Sequence, residues 1–201
     1  MTDAAVDDVL GVRKPGRPRS VDVDRAISEA ALEEYGRNGF EGMSVDAVAA
    51  RAGVSKATIY RRFESKLELV TAAMYQVAEE RKPTPDTGSL AGDLRALMHN
   101  LIEMTQDQTL GCNVRMMVAD GVRNPELGKV HEEYVQYRRA GTLTIFERAI
   151  ARGELRADID RQVAADVLTG PVFYRHLVSH MPIDDAYGEQ VIEAFLRAYG
   201  A

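Results

Sequence analysis

Cysteine is almost absent from this 201-residue chain. The single Cys112 excludes an intramolecular disulfide framework and an all-cysteine metal site. Its nearest basic neighbour in sequence is Arg115, so it reads as a buried core thiol rather than a redox sensor. Long apolar runs are missing as well, and nothing approaches the ~20 residues that span a bilayer. The first 20 residues carry Asp3, Asp7 and Asp8 and have no apolar centre, so they do not read as a secretory signal. No membrane partner is expected, and the expected location is the cytoplasm. No segment alternates apolar and polar residues over a useful length, and no internal repeat is found, which argues against strands. Catalytic groupings are lacking too. The glycine spacing over 11–17 has the look of a phosphate loop but lacks the Lys-Ser/Thr and a preceding strand. His176 and His180 stand four apart, but no third ligand is evident beyond Asp184 or Asp185. The expectation is no metal, no cofactor and no enzyme.

What is present is a divided charge. The net charge is −6. Residues 1–66 are balanced, so the whole acidic excess falls on 67–201. Inside the balanced part, Arg13-Lys14-Pro15-Gly16-Arg17-Pro18-Arg19 has four positive charges and no negative one. The stretch 55–66 has Lys56, Arg61, Arg62 and Lys66 against Glu64. Two basic patches on an acidic chain point to a localised anionic partner.

The polar, proline-bearing residues 1–20 read as a flexible basic arm. From Asp22 a helical pattern carries Ile27, Ala30, Ala31 and Tyr35, with Gly36 weakening it and Gly39 ending it. Ser44 caps a short helix with Val45, Val48, Ala49 and Ala52. Gly53 stops that helix, and Ser55 caps a third with Ile59, Tyr60 and Phe63. A fourth runs over about 65–80. The boundary Lys82-Pro83-Thr84-Pro85-Asp86-Thr87-Gly88 cannot continue a helix. Helices then follow at about 89–106, 109–121, 126–152, 160–180 and 184–199, the fourth of these kinked by Pro171. The fold class is all-α, with an N-terminal domain over 21–82 and a second over 83–201.

The helix pair joined at Gly53-Val54 spans residues 44–63 and has the helix-turn-helix arrangement, whose second helix enters the major groove. Ser55, Thr58 and Tyr60 supply hydroxyls, and Lys56, Arg61, Arg62 and Lys66 supply charge. Ala57 is small enough to let the helix approach base edges. A solvated basic helix between two core helices remains the plainer alternative on these grounds alone.

The order of residues decides between them. Gly39-Phe40-Glu41-Gly42-Met43-Ser44-Val45-Asp46-Ala47-Val48-Ala49, then Ala52-Gly53-Val54-Ser55-Lys56-Ala57-Thr58-Ile59-Tyr60-Arg61-Arg62-Phe63-Glu64-Ser65-Lys66-Leu67, strongly resembles the N-terminal domain of the TetR family of regulators. The resemblance implies phosphate contacts from Ser44, Thr58, Tyr60 and Lys66, base-facing Lys56, Ala57 and Arg61, and either role for Arg62. In the departure at Ala47, where an acidic residue often completes a capping box, Asp46 stands ready to offset the loss. The arm, through Arg13, Lys14, Arg17 and Arg19, resembles minor-groove readers.

The tail around 148–199 resembles a TetR-type regulatory domain. That implies an effector cavity, with soft and aromatic candidates Met98, Ile102, Met116, Met117, Tyr134, Tyr137, Phe146, Phe173 and Tyr174, and a mainly apolar small-molecule effector. It also implies a homodimer through the last two helices, with Val167, Val172, Leu177, Val191, Ile192, Phe195, Leu196 and Tyr199 as its candidate interface. The sequence therefore leads to a ligand-released repressor on a near-palindromic double-stranded operator. A transcriptional activator, a helical enzyme and a nonspecific architectural DNA binder are the rival readings.

Overall fold

A computed structural model describes residues 21–81 and 84–201, with the side chains of the fourth helix as far as Gln76. The arm residues Arg13, Lys14, Arg17 and Arg19 lie outside the described residues. The helices are α1 (Val21–Gly42), α2 (Val45–Arg51), α3 (Lys56–Tyr60), α4 (Lys66–Arg81), α5 (Leu90–Gln106), α6 (Gln108–Arg123), α7 (Pro125–Ala151), α8 (Arg161–Tyr174) and α9 (Asp185–Tyr199). A π-helical turn, Arg175–Ser179, prolongs α8. Among the described residues the only strand-like pairing is an isolated bridge between Leu155 and Gly200.

Short polar residues set most of these starts. The first amides of a helix have no partner within it, and a side-chain oxygen just before them supplies one. Ser44, Ser55, Ser89, Asp107, Asn124, Asp160 and Asp184 all accept in this way. Gly36 stays helical, and its missing Cβ lets α6 cross there, where an added Cβ would stand 2.7 Å from Asn113 Oδ1. The break comes at Gly39, where the sequence pattern ends the helix, in the left-handed region at φ 65°.

Two cores result. In the head, Ile27, Tyr35, Val48, Ile59 and Leu69 close over one another, and Met117 of α6 joins them. In the body, Leu94, Met98, Ile145, Phe146, Leu168 and Phe195 form the second cluster. Buried Asp93 fastens the entry to the body. It accepts from the Thr87 amide and hydroxyl and lies 3.7 and 3.6 Å from the Arg148 and Arg152 guanidiniums.

The body core corrects part of the expected interface. Val172, Val191, Ile192 and Phe195 are buried within the protomer itself. Phe195 stacks on Phe146 with ring centroids 5.4 Å apart, and Leu196 and Tyr199 pack against the same cluster. The apolar side of α9 is therefore covered by its own chain. What α8 and the turn after it leave in solvent is the expected Val167 together with Val163, Tyr174 and Val178, continued by Met181.

Candidate nucleic-acid interface

α2 and α3 are joined by a turn that Gly53 makes possible, with φ at 66° and open space where a side chain would be. Ile59 is buried in the head, flanked by the partly buried Val54 and Phe63. Those three apolar contacts fix which side of α3 faces outward. Ser55, Lys56, Ala57, Tyr60 and Arg61 are exposed there, and Ser44 is exposed at the start of α2. Thr58 is half-buried, with its hydroxyl 2.9 Å from Ser55 Oγ. Lys56 reaches back to Asp46 at 2.8 Å, which raises its pKa through that hydrogen bond. Asp46 is thus occupied with Lys56, and Ser44 Oγ accepts from Ala47 N at 3.4 Å to cap α2.

Two of the expected DNA contacts have other work. Arg62 Nε donates to Asp24 at 2.6 Å and its NH1 to the Thr58 carbonyl, so it ties the end of α3 to the start of α1. Lys66 Nζ lies 2.6 Å from the Phe40 carbonyl and 3.4 Å from those of Glu41 and Met43, and it sits over the Phe40 ring. An ammonium has three donors. Here all three meet the carbonyls that the end of α1 leaves open. Both residues brace the head instead of facing outward.

Lys66→Met should accordingly cost about 1–3 kcal/mol of stability, the scale of charge-assisted hydrogen bonds lost to partly buried carbonyls. The salt dependence of DNA binding should not change. A salt slope flatter by about 0.9 would return Lys66 to a phosphate.

Behind the head lies a cavity of about 360 Å³. α5 contributes Leu97, Leu101 and Met104, α6 contributes Val114, Met117 and Val118, and α8 contributes Ala165, Thr169 and Phe173. α7 supplies most of its polar wall, in His131, Tyr134, Arg138, Arg139 and Thr142. Of the expected effector residues, Met117, Tyr134 and Phe173 line this space, as does Leu177, which was expected in the interface. Met98, Ile102 and Phe146 are buried in the body core. Met116 packs with the head, and Tyr137 stands beside Tyr75 of α4 at 5.1 Å. Tyr174 is in solvent.

Sequence reasoning missed Asp120. Its carboxylate accepts the Phe40 amide at 2.9 Å and bonds the buried Tyr35 phenol, whose pKa is driven well above its ordinary value by burial and by that neighbour. Asp120 is 80 residues from Phe40, and no local pattern marks such a pairing. Cys112 is partly buried, with Arg115 NH2 3.2 Å from its sulfur.

A helix-turn-helix with an outward polar face, carried on a helical body that encloses a cavity, defines a DNA-binding transcriptional regulator. Residues 27–73 match the family described as bacterial regulatory proteins, tetR family, and residues 84–195 match the tetracyclin repressor-like C-terminal domain. The chain belongs to the TetR family. It is 32% identical over 180 residues to YdeS, an uncharacterized HTH-type transcriptional regulator of Bacillus subtilis, covering 89% of this chain and 90% of that one. It is 31% identical over 188 residues to the DNA-binding transcriptional repressor TetR of Mycobacteroides abscessus, covering 85% and 90%. A TetR-family regulator from Mesorhizobium loti, solved by crystallography, superposes with a TM-score of 0.69 at 27% identity, covering 92% of this chain and all of that one.

Proposed function

We propose that the protein is a homodimeric repressor released from its operator by a small molecule held in the cavity. One observation carries this reading: Met117 and Tyr134 belong to both halves of the molecule. Met117 lines the cavity and is part of the head core with Ile27 and Leu69. Tyr134 lines the cavity and meets Tyr75 of α4 edge-on at 5.6 Å. A ligand that displaces either side chain acts directly on the packing that orients α3.

Operator contacts are assigned to the exposed Ser44, Ser55, Lys56, Ala57, Tyr60 and Arg61, with Thr58 beside them. The exposed α8 stripe supports the dimer, because a second copy would cover the same stripe by two-fold symmetry. A repressor among the relatives supports the direction of control. Nothing in the described residues gathers three side chains that could hold a metal. No helix among them is long and apolar enough to cross a membrane.

A thermal-shift screen of the full chain tests the reading. A true effector adds about 2.7 kcal/mol of stability at a hundred times its Kd. Reciprocity requires the same compound to weaken operator binding. Met117→Ala should reduce release more than it reduces ligand binding. Hits that stabilise the protein and leave the operator complex intact would remove the ligand-released part of the proposal.

A further inference from the structure

Lys56 opens α3 and Asp46 stands in the first turn of α2, and the turn at Gly53 brings the two side chains to 2.8 Å. Both remain largely in water, with Asp46 71% and Lys56 48% exposed. An exposed pair of this kind adds little to stability. Its place on the head is what matters. It bridges the outward sides of the two helices of the reading pair, and Tyr60 stands one turn along α3 from Lys56. A carboxylate on a surface that meets a polyanion weakens binding unless it contributes something else.

A lysine ammonium is a compact charge on a flexible stem, and left free it follows any phosphate within reach. Such contacts carry no sequence information. Asp46 changes this in two ways. It takes one of the three ammonium hydrogens, and that bond turns the stem toward α2. A phosphate drawn to the same ammonium would also stand beside the carboxylate, and two like charges at that range repel. An uncharged base edge meets no such repulsion. The two hydrogens that remain match the two acceptors, N7 and O6, that a guanine shows in the major groove.

We propose that Asp46 is a specificity-determining residue of the head: it withholds the Lys56 ammonium from phosphates and presents it to a guanine edge. Asp46 acts through Lys56 and is therefore a positioning residue, with no DNA contact of its own. The proposal rests on the operator contacts assigned to α3 above, and it adds which base one of them reads. The same hydrogen bond raises the pKa of Lys56 above its ordinary value, which keeps the ammonium charged while it is held.

Two duplexes test this with the full chain: one that the parent protein selects from a random pool, and a scrambled duplex of the same composition. Asp46→Ala should strengthen binding to the scrambled duplex and change binding to the selected one far less. The ratio of the two affinities should fall about tenfold, within what one bidentate base contact discriminates. The salt slope on scrambled DNA should steepen by about 0.9 for each head bound, as one more phosphate is met. Asp46→Asn, which keeps the size of the side chain, is the second variant if Asp46→Ala lowers the melting temperature. Lys56→Met, put through the same selection, should lose the preference for guanine at one position of each half-site. Adding Asp46→Ala to Lys56→Met should leave the ratio where Lys56→Met put it. Equal strengthening on both duplexes or an unchanged ratio would overturn the proposal, as would the full effect of Asp46→Ala in the absence of Lys56. A Lys56→Met protein that selects the same sequence as the parent would instead remove Lys56 from the operator contacts, and the proposal with it.

Discussion

Val167→Glu should leave the protomer folded and divide the proposed dimer. Val167 is 44% exposed, so a carboxylate there is already in water within one chain and should change protomer stability by no more than about 0.5 kcal/mol. In the proposed dimer the same carboxylate would meet the apolar stripe of Val163, Tyr174 and Val178, where an unpaired charge loses its hydration. Operator affinity should then fall by about 10²–10⁴, because two heads on one duplex gain from binding together and a single head does not. Phe195→Glu is the contrasting variant. Phe195 is 1% exposed against Phe146, so this change should unfold the protomer instead of separating two intact ones. Sedimentation velocity with circular dichroism distinguishes the two outcomes. A Val167→Glu protein that still sediments as a dimer would place the interface away from the α8 stripe.

The contrast between Val167 and Phe195 shows where sequence reading stops. Helical spacing identifies an apolar side on α9, and that side exists. It does not say whether the cover comes from the same chain or from a second copy. Local features were readable because their causes are local. Ser44 and Ser55 cap the helices that follow them, and Gly53 takes the left-handed turn between. The head was therefore legible almost residue by residue, including the exposed Tyr60 and Arg61.

Lys66 shows the opposite case. An ammonium near a basic helix has the same chemistry whether phosphate oxygens or backbone carbonyls receive it. Only the return of the chain to Phe40, 26 positions away, decides for the carbonyls. The cavity behaves likewise. Met98 and Met117 look equivalent as sequence, and both are nearly buried. Met98 is enclosed by the body core, whereas Met117 faces an open volume on one side and the head on the other.

The largest effect on regulation, as distinct from assembly, is expected at Asp120. Met117 and Tyr134 bring the cavity to the head by packing, and packing alone lets α6 slide against α1. Asp120 opposes that sliding with a hydrogen bond from the Phe40 amide at the Gly39 break and another from the Tyr35 phenol. The Phe40 carbonyl, on the far side of the same residue, holds Lys66 at the start of α4. On the proposed ligand-released reading, motion of α6 would thereby pass through one residue to both helices that flank the reading pair. Asp120→Ala leaves a buried phenol without its partner and should cost about 1–3 kcal/mol of stability. Operator binding by the ligand-free protein should survive, since no outward residue of α3 is touched. The coupling free energy, about 1–3 kcal/mol in regulators of this kind, should fall toward zero, so that an effector still binds but no longer releases DNA. Tyr35→Phe removes the phenol and keeps the Phe40 bond, and should retain most of the coupling. Measuring effector affinity with and without operator in the three proteins gives that coupling directly. An Asp120→Ala protein that releases its operator as the parent does would show that the packing of Met117 and Tyr134 transmits the signal unaided.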